Sequence, residues 1–294
     1  MDGIINVLKP AGMTSFDVVG YLRRVLKIKK IGHTGTLDPC AVGVLPVCIG
    51  KATKAIEFLI DKDKTYRAEL TLGVSTDTQD GTGEIIKKSP VNVSRNEIEK
   101  VVKSFVGEYS QIPPMHSALK VNGKKLCDIA REGKVIERKP RNIKIYSIDI
   151  LHIKEKTVVF DVECSKGTYI RTLCDDIGNK LGCGGYMSFL LRRQAGVFDL
   201  STTLTLEEIE AFAIEDTLQK RMILIDEIFR NYNKITLSSK DTKKFANGMK
   251  IKIDDRFKNE KSLKVYGYGG RFLALGQIIR VNDSTILKSK KMFI

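Results

Sequence analysis

Apolar positions along this chain recur with periods that change often enough to outline its elements. After the strand-like GIINVLK comes PAGMTSFDVVGYLRRVLKIKK, in which Val18, Val19, Leu22, Val25 and Leu26 fall on one helical face and Ser15 is placed to cap it. Residues 64–74, KTYRAELTLGV, alternate as a half-buried strand, and the STDTQDGTGE behind them is turn chemistry. Ser94 and Glu97 make a capping box before a helix with Ile98, Val101, Val102 and Phe105 on one side. NIKIYSIDILHI and TVVFDVECSKG read as a strand pair. They feed GTYIRTLCDDIGNKLG, a helix that turns Ile170, Leu173, Ile177 and Leu181 inward. A further helix is expected over LEEIEAFAIEDTLQKRMILIDEIF, with IFRNYNK as the linker behind it. Past residue 235, KVYGYGG and RFLALGQIIRV are short strands parted by a glycine turn.

Strands joined both by tight turns and by helices predict an α+β class: a mixed, largely antiparallel sheet with flanking helices, followed by a small C-terminal β-rich module. The expected division is a body over residues 1–230 and a module over 235–294. Residues 111–142 start with two prolines and run on basic and weakly periodic, so they are read as a projecting segment.

Composition narrows the class. A chain of 294 residues with 42% hydrophobic content can bury a substantial core. Its six cysteines form no C-x-x-C pair, which points to free thiols in a reducing compartment. The first residues lack the profile of a signal peptide, and no apolar run reaches the length that spans a bilayer, so a cytoplasmic protein without membrane contact is expected. The net charge of +15 is concentrated: residues 234–294 hold fifteen Lys or Arg against five Asp or Glu, and residues 116–141 hold eight against three. Two such patches suit a polyanion contacted at two places, and equally a solubilising surface.

The candidate chemistry centres on GHTGTLDPCAVGVLPVCIG, residues 32–50, whose single carboxylate is Asp38. Pro39 pushes Asp38 into extended backbone and offers it no N–H, which fixes the carboxylate's direction. The same dipeptide also describes an ordinary Asp-Pro turn. A carboxylate among apolar neighbours needs a cation or donors, and Arg171, beside the inward stripe of its helix, is the candidate. Such a pair is also a common structural salt bridge. Tyr66 offers a flat face and a phenol, or is simply a packed strand aromatic. His33 could stack on a base or be satisfied by backbone, and Lys9 could touch phosphate or sit in an exposed turn. No metal triad, Ser-His-Asp arrangement, Walker loop or dinucleotide fingerprint is present in the sequence.

The loop closely resembles that of the TruB family of tRNA pseudouridine synthases, whose pattern GHxGxLDPxAxGxLPxxxGxATK stands here as GHTGTLDPCAVGVLPVCIGKATK. LKPAGMTS, DKTYRAELTLGVSTDTQDGTG, QIPPMHSALKVNGKKL, CSKGTYIRTLCDDIG and LRRQAGVF resemble the family's other motifs in its order, over roughly residues 3–210. The tail is more weakly similar to the PUA-type RNA-binding module often appended to the family. The resemblance implies a pseudouridine synthase fold, catalysis without metal or cofactor, and a monomer with no obligate protein partner that acts on the TΨC stem-loop of tRNA at uridine 55. It makes Asp38 the catalytic aspartate, by attack on C1′ or removal of the C2′ proton, and Tyr66 the surface that stacks on uracil. Arg171 becomes the partner that orients Asp38. Tyr169 would shape the pocket, His33 would hold or replace the extruded base, Lys9 would reach toward the RNA backbone, and Leu191 rather than Leu190 would line the pocket. Cys127 stands where the family has a tyrosine. A non-catalytic tRNA chaperone, an N-glycosidase and a guide-dependent RNA pseudouridine synthase are the alternatives.

Overall fold

In the computed structural model, which describes residues 1–294, the period-two runs assemble into one nine-stranded sheet. Across it lie Gly3–Lys9, Val42–Ile49, Gly185–Ala195, Lys64–Leu72, Thr157–Cys164, Arg141–Lys154 and Gly107–Gln111, with the short strands Ile31–His33 and Phe198–Asp199 beside their neighbours. Every pairing is antiparallel except that of Val42–Ile49 with Gly185–Ala195, so the sheet is mixed and largely antiparallel. Gly43 permits that parallel join: its φ is +112°, and a Cβ there would lie 2.3 Å from the Arg192 carbonyl oxygen.

Two helices cover the sheet where the site lies. Ser15–Leu26 contributes Val18, Val19 and Leu22 to the main core, and Ile170–Lys180 contributes Leu173, Cys174 and Ile177, against Leu45, Leu70 and Phe160 of the strands. Each large apolar side chain so buried stabilises the fold by about 1.5–3 kcal/mol. The capping box of Ser94 and Glu97 stands as expected, at the head of Arg95–Lys103.

Local chemistry explains three departures from the sequence reading. The first helix is capped by Thr14, in a capping box with Asp17, while Ser15 is buried and exchanges hydrogen bonds with the backbone of Leu37. The expected long helix over residues 206–229 stops at Ile214. Asp216 adopts φ +53°, Asp216 N–H donates to Ala213 O, and Thr217 N–H donates to Phe212 O, which is a Schellman stop. The expected linker is not loose: Phe229 is 3% exposed and packs on Phe58, Phe272 and Phe293. Turn residues 77–84 are also flanked by a small hairpin, Val74–Thr76 with Ile85–Lys88.

The C-terminal residues form a separate five-stranded sheet, ordered Lys234–Thr236, Ser262–Tyr266, Phe272–Val281, Ser284–Met292 and Ile251–Lys252, consistent with a PUA-like module. Leu237, Phe245, Val265, Leu273 and Leu287 are its core. Lys54 Nζ donates to Met292 O at 3.0 Å, and Lys291 pairs with Glu57 at 2.6 Å, so this sheet is docked on the segment that follows Val42–Ile49. Residues 111–142 begin and end in the paired strands Gly107–Gln111 and Arg141–Lys154, and between them carry a small hairpin, Lys120–Val121 with Lys124–Lys125, and the short helix Leu126–Arg131.

Candidate active site

Asp38 lies in the loop between Ile31–His33 and Val42–Ile49, and that loop is pinned on both sides of it. Leu37 N–H donates to Ser15 Oγ at 2.8 Å. Pro39 O accepts from Gly12 N at 2.8 Å and from Lys9 Nζ at 3.3 Å. Farther back, the buried Arg192 donates to Gly35 O and Thr36 O at 3.1 and 3.3 Å, and to Val44 O at 2.7 Å. A loop held at so many backbone points keeps the Asp38 backbone in one place.

Arg171, the second residue of Ile170–Lys180, brings its guanidinium into contact with the Asp38 carboxylate. Its other terminal nitrogen lies 3.4 Å from Asp80 Oδ2. Arg171 and Asp80 are buried, with 6% and 4% of their side chains exposed, whereas Asp38 is 31% exposed. The sheltered carboxylate expected from the sequence therefore belongs more to Asp80. Asp38 faces the cleft, and the shelter lies beneath it. Asp80 is in turn fixed by Thr78 Oγ1 at 2.8 Å, Thr82 Oγ1 at 2.5 Å and Thr82 N at 3.0 Å.

Tyr66 is the cross-strand neighbour of Arg192 and is 9% exposed. Burial pushes its phenol up to about 12, against the pull of the adjacent Arg192. Burial likewise lowers the pKa of Arg192. Tyr169 immediately precedes the Arg171 helix and also lines the cleft. Its backbone is clamped by Gln111, which accepts from Tyr169 N at 2.8 Å and donates to Tyr169 O at 3.0 Å. These groups line a cleft of about 1330 Å³, with Lys64, Lys125, Arg131, Arg141 and Lys166 also in its wall. Burial lowers the Lys64 ammonium to about 8.

The structure thus brings Asp38, Tyr66, Arg171 and Tyr169 to one cleft, and treats three other candidates differently. Lys9 is fully buried and spends its ammonium on Pro10 O at 2.7 Å, Met13 O at 2.6 Å and Pro39 O, so it braces the loop and does not reach for RNA. Strand alternation turns Leu190 inward with Arg192 and turns Leu191 away, so Leu190 lines the cleft. His33 is not in the cleft wall: its Nδ1 accepts from Gly35 N at 3.3 Å, and burial lowers its pKa. Cys127 is in the wall, half-buried. Asp80 and Arg192 were missed. The signal for Arg192 was its place two residues from Leu190 on one strand face; nothing in the TDTQDGTG turn marked Asp80 from its neighbours.

A cleft that joins a fixed carboxylate, a buried guanidinium and an aromatic face, on a basic surface, suits a flipped nucleoside. The whole fold has solved counterparts of that kind. It superposes with TM-score 0.73 on a chain of a Cbf5-Nop10-Gar1 complex, at 28% identity, covering 99% of this chain and 85% of that one. The agreement is equal with an H/ACA RNP bound to a substrate RNA containing 2′-deoxyuridine, at 26% identity and the same coverage. The architecture is that of a pseudouridine synthase. Residues 23–170 match the TruB family pseudouridylate synthase N-terminal domain, and residues 171–231 match the tRNA pseudouridylate synthase B C-terminal domain. The chain is 49% identical to the tRNA pseudouridine synthase B of Clostridioides difficile over the full length of both. It is 54% identical to that of Alkaliphilus oremlandii over 85% of this chain and 83% of the relative. The chain belongs to the TruB family of pseudouridylate synthases.

Proposed function

We propose that this enzyme isomerises uridine to pseudouridine in tRNA, at position 55 of the TΨC loop, and that Asp38 is the residue that acts on the sugar. The reaction breaks the N1–C1′ bond, forms C5–C1′, releases the proton of C5 and leaves one on N1. Nothing is oxidised and no group is imported. A uridine in a folded arm must be flipped out at a cost of a few kcal/mol, and stacking on Tyr66 returns about 1–3 kcal/mol of it. Arg171 holds Asp38 toward the sugar, while Tyr169 and Leu190 shape the wall. We further propose, as the resemblance to the TruB family implies, a monomer that works in the cytoplasm without an obligate protein partner. We assign the chemistry to residues 1–230, the grip on the stem-loop to the basic segment 111–142, and further phosphate contacts to residues 235–294.

The observation that carries this reading is the contact of Asp38 with a buried arginine on the floor of a basic cleft. The test is tritium release from an unmodified tRNA transcript labelled at uracil C5. The parent is expected to release one equivalent and Asp38→Asn none above background. Turnover by Asp38→Asn at the parental rate refutes the assignment, and no release by the parent would favour a tRNA chaperone. Activity on bare transcript also separates this enzyme from a guide-dependent one. With two basic patches engaged, tRNA affinity is expected to fall steeply with salt.

A further inference from the structure

The charge on this molecule is not confined to the two patches that stand out in the sequence. The turn that ends the helix Ser15–Leu26 exposes Lys27, Lys29 and Lys30, with Arg24 exposed and Arg23 half-buried on the last turn of the helix before it, and positions 23–30 hold no acidic residue. None of the five takes part in an ion pair. The neighbouring acids are already engaged: Asp17 with the Thr14 backbone, Glu210 with Tyr21, Asp2 with Lys51 and Glu57 with Lys291. Arg23 is held by Ile31 O at 3.0 Å and lies 5.5 Å from the ring centroid of Phe16, which is 64% exposed.

The position of this surface gives the charge a direction. Thr14, at one end of the helix, lines the catalytic cleft, and twelve helical residues carry the chain about 18 Å away from it. At the far end Lys30 O accepts from Gly50 N at 2.8 Å. Gly50 opens the turn Gly50–Ala55, whose Lys54 is bonded to Met292 O of the C-terminal sheet. Lys290 and Lys291 stand at that junction, over Phe58 and beside Glu57. Residues 14–22 carry no Lys or Arg, so the cations run from the far end of the helix to the junction with the C-terminal sheet.

We propose that Lys27, Lys29 and Lys30 form a third RNA-contacting surface, a track that carries the phosphate backbone of a bound tRNA, beyond the cleft, toward the C-terminal sheet. The proposal rests on tRNA being the substrate. Lys29 and Lys30 lie at the end of the track far from the cleft, so they contact the body of the tRNA and not the loop that is modified.

The test compares two RNAs, a full-length tRNA transcript and its isolated TΨC stem-loop, binding to the parent and to the full-length Lys29→Glu/Lys30→Glu variant, with thermal unfolding as a check on folding. The dissociation constant for the full-length transcript is expected to rise about tenfold at 0.1 M salt, and the slope of log K against log salt to fall by about two, one for each lost phosphate contact. Affinity for the stem-loop is expected to change less than twofold. The milder Lys29→Ala/Lys30→Ala is expected to act in the same direction. Unchanged affinity and slope on the full transcript, or an equal loss on both RNAs, overturns the track. A failure of the tRNA reading looks different, because the parent itself then shows no salt-dependent binding of either RNA.

Discussion

Arg171 and Asp80 form a buried ion pair, 3.4 Å between Nη1 and Oδ2, directly beneath the contact of Arg171 with Asp38. The guanidinium is thus held by one carboxylate while it holds another. Asp80→Asn keeps the size of the side chain and an acceptor for Thr82, but removes the charge that fixes the far side of Arg171. A misplacement of about 1 Å near the reacting atoms costs on the order of a hundredfold in rate. The expected outcome is a fall in kcat of roughly 10- to 100-fold with a KM for tRNA close to that of the parent, measured by tritium release. A change confined to KM would mean that Asp80 serves RNA binding and not the alignment of Arg171.

Lys9 offers a test of its buried role. Its ammonium bonds three backbone carbonyls, among them that of Pro39 next to Asp38. Lys9→Met takes this donor from Pro10 O and Met13 O, at about 1–3 kcal/mol for such a loss, and leaves Pro39 O to Gly12 N alone, which loosens the loop. A lower unfolding temperature and a lower kcat are expected, with the salt slope of tRNA binding unchanged. A slope reduced by about one would instead mark Lys9 as a phosphate contact.

Tyr66 separates stacking from phenol chemistry. The ring sits in the main apolar core at the back of the cleft, and its phenol is held near 12 by burial, so it stays protonated through the neutral range. Tyr66→Phe keeps the face and is expected to retain kcat/KM within about tenfold, since only the hydroxyl is lost. Tyr66→Ala removes a stacking term of about 1–3 kcal/mol and also opens a cavity, so both kcat/KM and the unfolding temperature are expected to drop. Equal losses in the two variants would assign the phenol a direct part in the reaction.

What the sequence disclosed followed from how local each feature is. Strand alternation and capping boxes are encoded within a few residues, which is why Lys64–Leu72 and the Ser94 cap were legible. The Thr14 cap shows the limit. Thr14 and Ser15 are both capping types, and only the contact of Ser15 with Leu37, twenty-two residues away, decides between them. Asp80 could not be singled out, because its meaning depends on Arg171, ninety-one positions later. Phe229 read as linker because its partners Phe58, Phe272 and Phe293 come from both sides of it in the chain. Leu190 was within reach: once Arg192 is taken as inward, alternation places Leu190 with it and Leu191 opposite.

Asp176 gives a pH-dependent prediction outside the cleft. It lies on the Arg171 helix, half-buried and in contact with the Tyr109 hydroxyl, and burial raises its pKa from 3.8 to about 6. The folded protein holds this proton more tightly than the unfolded chain does. The group's contribution to stability is therefore complete below about pH 4 and is lost as the pH rises through 6. Above that range the folded state carries a partly desolvated charge. Asp176→Asn removes the charge and keeps an acceptor for Tyr109. Discounted for partial exposure, the gain at pH 7.5 is about 1 kcal/mol, or roughly 2 °C in Tm for a chain of this size. Near pH 4 the two proteins are expected to melt together. Thermal unfolding at the two pH values checks this, and a variant less stable than the parent at pH 7.5 would show that the ionised carboxylate is stabilising where it stands.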